Sequence, residues 1–143
     1  MAARVSAPIY TRDILRLAAS IPHLDPLDAP HGSAERRSPT CGSRVTVAVR
    51  MADGRVAALS QKVEACALGQ ASAALMSDAA VGTGEGELRA AIAGIEAWLG
   101  GDDGAVASWP GLEVLEPARA RGARHGAIML PFRTLLAAIE DAR

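Results

Sequence analysis

Aromatic residues are nearly absent from this sequence: Tyr10, Trp98, Trp109 and Phe132 are the whole set, 3% of 143 residues. A core made without them must be packed by alanine, valine and leucine, and a 50% hydrophobic content supplies these. Cysteine is as scarce. Two residues, Cys41 and Cys66, cannot form the multi-bridge framework of a small secreted scaffold. The expectation is two thiols in a reducing, cytoplasmic setting. No charge sign dominates: 15 basic against 16 acidic side chains leave a net charge of −1, so the broad electropositive face that nucleic acid requires is missing. The densest basic stretch, Arg119, Arg121, Arg124 and His125, reads as a solvated loop. No apolar run approaches the roughly 20 residues that span a bilayer, and the first residues lack the apolar stretch of a secretory leader. The expected partners therefore include neither nucleic acid nor membrane. A phosphate-cradling loop is absent too, because Gly82, Gly84 and Gly86 follow a helical pattern and not a strand. Asp102, Asp103, Glu85 and Glu87 read as loop and helix-start charges, not as an acid–base pair.

The length, 143 residues, fits one domain over 1–143. Tyr10, Ile14 and Leu17 share a face of a short helix over 10–19. Pro22, Pro26, Pro30 and Gly32 then mark an irregular segment to about Pro39. Val45, Val47 and Val49 alternate with polar or small residues, the pattern of a half-buried strand. Asp53-Gly54 follows, a dipeptide that suits a tight hairpin because both residues tolerate positive φ, and a second strand returns over 55–63. The period then becomes helical over 68–81, with Gly82 as a stop, and again over 85–99, with Gly100 and Gly101 ending the run. Residues 102–122 read as loop with a helical turn near Leu112 to Leu115. A last helix carries Ile128, Phe132, Leu135 and Ile139. Proline belongs in a helix's first turn, so Pro131 predicts a start between Ala127 and Leu130, with His125 in the entry loop.

The hairpin is the informative feature. Cys41 precedes its first strand and Cys66 follows its second, so a two-residue turn returns positions 41 and 66 to within a register step despite 24 intervening residues. Cys66 also precedes a helix, whose N-terminal N–H groups favour an anion. Two neighbouring thiolates are half of a tetrahedral zinc or iron–sulfur site, and two small buried hydrophobes would give the same spacing. His125 is the natural third ligand, since imidazole suits zinc and iron; a surface histidine in a basic loop is the plainer reading.

Ser38-Pro39-Thr40-Cys41-Gly42-Ser43 resembles the N-P-x-C-G-D motif of the IscU/SufU/NifU-type iron–sulfur cluster assembly scaffolds. Ala65-Cys66-Ala67-Leu68-Gly69-Gln70-Ala71-Ser72-Ala73 resembles their second motif, G-C-x-I-S-x-A-S-A, and Leu130-Pro131-Phe132 resembles their tail. The long segment between the last two helices is similar to the insertion of the SufU branch, and the resemblance covers roughly residues 7–141. It implies an α+β fold, a small antiparallel sheet of about three strands packed against four or five helices, with a first strand near 34–39. It implies a scaffold or carrier rather than a true enzyme. Such a protein holds zinc or an iron–sulfur cluster on three cysteines and an aspartate, receives sulfur from a cysteine desulfurase and serves cluster-accepting proteins. Here Ser43 stands where that aspartate falls, and the third cysteine is replaced by Gly126 or Ala127, depending on the alignment. The remaining ligand set is Cys41, Cys66 and His125. Three functions follow: a scaffold on this reduced set, a metal-free module that docks on a desulfurase, or a zinc-dependent sulfur acceptor.

Overall fold

The computed structural model describes residues 9–39 and 42–143. The elements run α1 (Arg12–Ala18), β1 (Gly32–Arg37), β2 (Arg44–Ala52), β3 (Arg55–Glu64), α2 (Ala67–Ala80), α3 (Glu85–Leu99), three short 3-10 helices (Asp103–Ser108, Leu112–Ala118, Gly122–Arg124) and α4 (His125–Asp141). The strands form an antiparallel sheet in the order β1-β2-β3. α4 lies against β1 and β2, α2 packs on α4 and α1, and α3 packs on the other flank of α4. This is the expected α+β architecture, with four α-helices.

The β2–β3 hairpin forms for the reason its sequence gives: Asp53 and Gly54 adopt φ of 55° and 76°, the left-handed pair that matches strand twist. Val45, Val47 and Val49 are buried beneath the helices, while Thr46 and Ala48 face outward. One irregularity was not legible. Arg50 pairs with Ala58 but Met51 with Val56, so Ala57 is left over in a β-bulge. The bulge lets Val56 and Leu59, three apart, both point into the core.

β1 begins at Gly32, slightly earlier than 34–39. A Cβ at Gly32 would lie 2.4 Å from the Ala138 carbonyl oxygen, so the glycine lets the strand touch the end of α4. α4 itself starts at His125, before the predicted window, and Pro131 sits inside it. An internal proline loses one backbone hydrogen bond and costs about 3 kcal/mol. Burial of Ala127, Ile128, Met129 and Leu130 offsets that, at roughly 1.5–3 kcal/mol for each large apolar side chain. His125 is therefore the first residue of the helix and not part of its entry loop.

The insertion is held by specific contacts. Trp109 donates its Nε1–H to the Leu75 carbonyl at 2.8 Å and meets Phe132 edge-on with ring centroids 5.2 Å apart. Arg119 is not the solvated loop residue its neighbours suggested. Its side chain is 14% exposed, its guanidinium stacks 4.7 Å over Trp98, and its Nε donates to the Trp98 carbonyl at 2.8 Å. No helix among the described residues is long and apolar enough to cross a membrane.

Candidate functional site

Three chain segments converge at one end of the sheet. The first is the link between β1 and β2. It is pinched shut by two backbone bonds, Ser38 N–H to the Ser43 carbonyl at 2.9 Å and Gly42 N–H to the Ser38 carbonyl at 3.1 Å. Gly42 takes φ 71°, a conformation that needs glycine and explains the Cys-Gly pair in the motif. Cys41 itself lies outside the described residues. Ser43, which replaces the aspartate, is 3% exposed and has interactions within the fold.

The second segment is the start of α2. Cys66 is its N-cap residue, in an extended conformation, and its side chain makes no capping hydrogen bond. The thiol is free and half-buried. Its carbonyl accepts the first helical bond from Gln70 at 2.9 Å. The sheet ladder ends at Arg44 opposite Glu64. Cys66 lies two residues past that last pair and Gly42 two residues before it; the bulge moves the ladder one residue from the register that the two-residue turn alone would give.

The third is the start of α4. A Cβ on Gly69, one turn after Cys66, would stand 3.9 Å from the Ala127 Cβ, and Ala127 is 5% exposed. Among the described residues, the atom nearest to a Cβ on exposed Gly126 would be the Ser38 Oγ, at 4.0 Å. The two candidate positions for the missing cysteine thus flank the corner, Ala127 on the Cys66 side and Gly126 on the side of the β1–β2 link. Ser72 ties the helices together by donating its hydroxyl to the Ile128 carbonyl at 2.6 Å.

His125 faces elsewhere. Successive helical residues turn by about 100°, so His125 and Ala127 project to nearly opposite sides of α4. His125 shares a cleft of about 270 Å³ between α3 and α4 with Glu96, Leu99, Gly126, Met129 and Arg133. Its Nε2 lies 2.8 Å from the Arg119 carbonyl oxygen. A carbonyl only accepts, so Nε2 carries the proton and the lone pair of the neutral ring is on Nδ1. Histidines that ligate a metal are commonly held this way through their other nitrogen. Among the described residues no group of three or more His, Cys, Asp or Glu side chains is placed to hold a metal ion. The place of Cys66 at the start of a helix was legible from sequence. The role of Arg119 was not, because its partners Trp98, Asp103 and Glu116 are set by the packing of the insertion.

A three-stranded antiparallel sheet backed by helices, with a cysteine-bearing corner where hairpin and helices meet, defines the class as an α+β domain. No protein-family model matches the chain, and neither does any curated protein. Solved structures do. The N-terminal part of a nitrogen-fixing NifU-like protein from Brucella abortus is 33% identical, with 94% of each chain covered and a TM-score of 0.82. A candidate iron–sulfur cluster assembly scaffold protein for the SUF system from Fervidobacterium islandicum AW-1 superposes with a TM-score of 0.81 at 19% identity, covering 92% of this chain and 96% of that one. A third structure, of a hypothetical protein, gives 0.76 at 22% identity over 90% and 94% of the two chains. The last two share the fold; the first shows the family. The chain belongs to the U-type, NifU-like iron–sulfur cluster assembly scaffold family.

Proposed function

We propose that the chain is an iron–sulfur cluster assembly scaffold that takes up iron, zinc or a labile cluster as cargo on Cys41, Cys66 and His125 and passes it to accepting proteins, with sulfur drawn from a cysteine desulfurase. The observation that carries the reading is the corner itself: a half-buried thiol at the α2 N-cap, two residues past the sheet's last pair, Arg44 with Glu64, where β2 begins. Thiolate ligands suit iron–sulfur and zinc cargo. His125 would ligate through Nδ1, since Nε2 is engaged by the Arg119 carbonyl. Three protein ligands leave one coordination position open, which fits a carrier that must release what it holds.

A second reading has its own support. The positions flanking the corner carry a hydrogen and a methyl group, Ser43 is buried, and His125 projects into the α3–α4 cleft. A metal-free module that docks on a desulfurase needs none of these groups as ligands. The third reading, zinc-dependent sulfur acceptance, would use Cys66 or Cys41 as the acceptor.

Anaerobic purification followed by metal and acid-labile sulfide analysis separates the three. Iron with sulfide, lost in both Cys41→Ser and Cys66→Ser, supports the scaffold. Zinc alone supports sulfur acceptance. Nothing bound after reconstitution, with desulfurase binding intact in the double variant, establishes the docking module.

A further inference from the structure

We infer that the cleft between the 22–31 segment and the outward face of the sheet binds a small carboxylate with an apolar body, held by Lys62 and the backbone N–H of Val63. The inference goes beyond the scaffold reading and does not rest on it. The chain after α1 has to cross the whole sheet, because it meets the outer edge of β3 first and enters β1 on the far side of β2. Gln61 fastens its start: Nε2 donates to the Pro22 carbonyl at 2.9 Å and the backbone N–H to the His23 carbonyl at 2.8 Å. Its end is fixed by Arg50, which donates to the Asp28 carbonyl at 3.2 Å, and by the Met51 N–H, which donates to Nδ1 of His31 at 2.8 Å. His23 and Ala29 take left-handed φ of 62° and 46°, conformations that residues other than glycine keep only where the surroundings impose them. The strap therefore has a set shape, and the space beneath it is ready before anything binds.

Between its anchors the strap stands off the sheet. Ala48 pairs with Ser60, two small side chains next to each other, so the outward face dips there. Leu24 and Pro26 close the dip from the strap side and leave a cleft of about 460 Å³. At about 30 Å³ per water that is room for roughly 15 waters, within the size range of small-molecule sites. Leu24 is 58% exposed, and an apolar body would take it out of water. The donors lie together on β3. Lys62 is the only lysine of the chain; it lines the cleft and makes no ion pair or side-chain hydrogen bond among the described residues. The carboxylates on this face are engaged elsewhere, Glu35 with Thr46 and Arg37 and Glu64 with Arg44. Along an edge strand every second N–H points outward. That of Gln61 is taken by His23; the next, on Val63, meets no acceptor among the described residues. An ammonium and a free N–H on adjacent residues suit the two oxygens of one carboxylate. A slender molecule fits beneath the strap, and a broad protein surface does not.

Octanoate is the probe, followed by amide ¹H–¹⁵N shifts of the full chain. Saturable shifts are expected at Leu24, Ala48 and residues 60–63. Octylammonium, the same chain with the opposite charge, should need about fivefold more for the same response. Lys62→Gln should erase that preference. Ala48→Ile fills the dip with a side chain that strands favour and should abolish the response at an undiminished melting temperature; Ser60→Val fills it from β3 and should do the same, so a failure of either variant to fold leaves the other as the test. No saturable shift in the parent protein overturns the inference. So does an equal response to both charges, or one that persists in the folded filling variants, which is adventitious binding. Shifts of these amides by an added acidic peptide and not by octanoate would make the face a protein contact and overturn it as well.

Discussion

The Nε2 of His125 stands 2.8 Å from the carbonyl oxygen of Arg119, and the side chain of that same arginine is clamped between Trp98 and the carboxylates of Asp103 and Glu116. The histidine is thus aimed by a backbone group whose own position depends on a cation–π stack. If His125 is a ligand, loosening the stack should weaken metal binding by about tenfold, the low end of what outer-shell partners contribute. Arg119→Met keeps a long apolar side chain over the indole but removes the donors. Zinc affinity by chelator competition, beside a thermal melt, checks this. Equal metal affinity in Arg119→Met and the parent, with a His125→Ala variant also unchanged, would remove His125 from the ligand set.

The position of the lost third thiolate can be decided by restoring it. Ala127 faces Gly69, which shares a helix face with Cys66 at three-residue spacing. Gly126 faces Ser38. Ala127→Cys therefore places a new sulfur beside Cys66, and zinc affinity should rise by more than the roughly tenfold that outer-shell changes bring. Overfilling that packed spot should cost about 1–3 kcal/mol. Gly126→Cys should fold without that cost and gain less. A larger gain at 126 would reverse the assignment.

Much of this was readable beforehand. The hairpin, its turn and the limits of α3 follow from alternation, Asp53-Gly54 and a helical stripe closed by Gly100, all local signals. β1 was not readable from pattern, because Gly32 to Arg37 shows no alternation; it pairs with β2 through tertiary contact with α4. α4 starts ahead of the window that Pro131 implies because burial of Ala127, Ile128, Met129 and Leu130 outweighs the lost backbone bond. At the site, the motif pair placed Cys66 correctly at a helix start. The direction of His125 was hidden, since it depends on the helix beginning two residues earlier than Pro131 suggested.

Acid should expose the second end of the fold. Glu85 is held down to about 2 from an ordinary 4.5 by hydrogen bonds from Arg143 and then Arg89, and Glu87 is lowered by the Gly84 N–H and Arg55. A lowered carboxylate binds fewer protons folded than unfolded, so stability rises with pH across its range. The contribution of Glu85 is complete above about 4.5 and is lost as pH falls through about 2. These pairs are exposed, so the effect is small and salt-sensitive. Urea midpoints at low salt should show Glu85→Gln below the parent at pH 7, with the gap closing toward pH 2. A gap that is constant with pH would mean the residue acts through packing alone.

Gly32 offers the sharpest test of the fold that supports the corner. A methyl group there would sit 2.4 Å from the Ala138 carbonyl oxygen and 2.6 Å from the Ala142 nitrogen, both backbone atoms that cannot swing aside. Next to it, Ser33 N–H donates to the Asp141 carboxylate at 3.0 Å, so β1 and the end of α4 are joined at this point. Gly32→Ala must push them apart, at about 1–3 kcal/mol of overpacking. Glycine elsewhere tolerates the same change: a Cβ on Gly86, within α3, would meet nothing within 4 Å, and Gly86→Ala should be neutral or stabilising by up to about 1 kcal/mol through helix propensity. Opposite signs for the two alanine variants in a urea titration would show that the β1–α4 contact, and not glycine loss as such, sets the cost. Equal shifts would mean that α4 can slide along the sheet, and with it the position of Ala127 against α2.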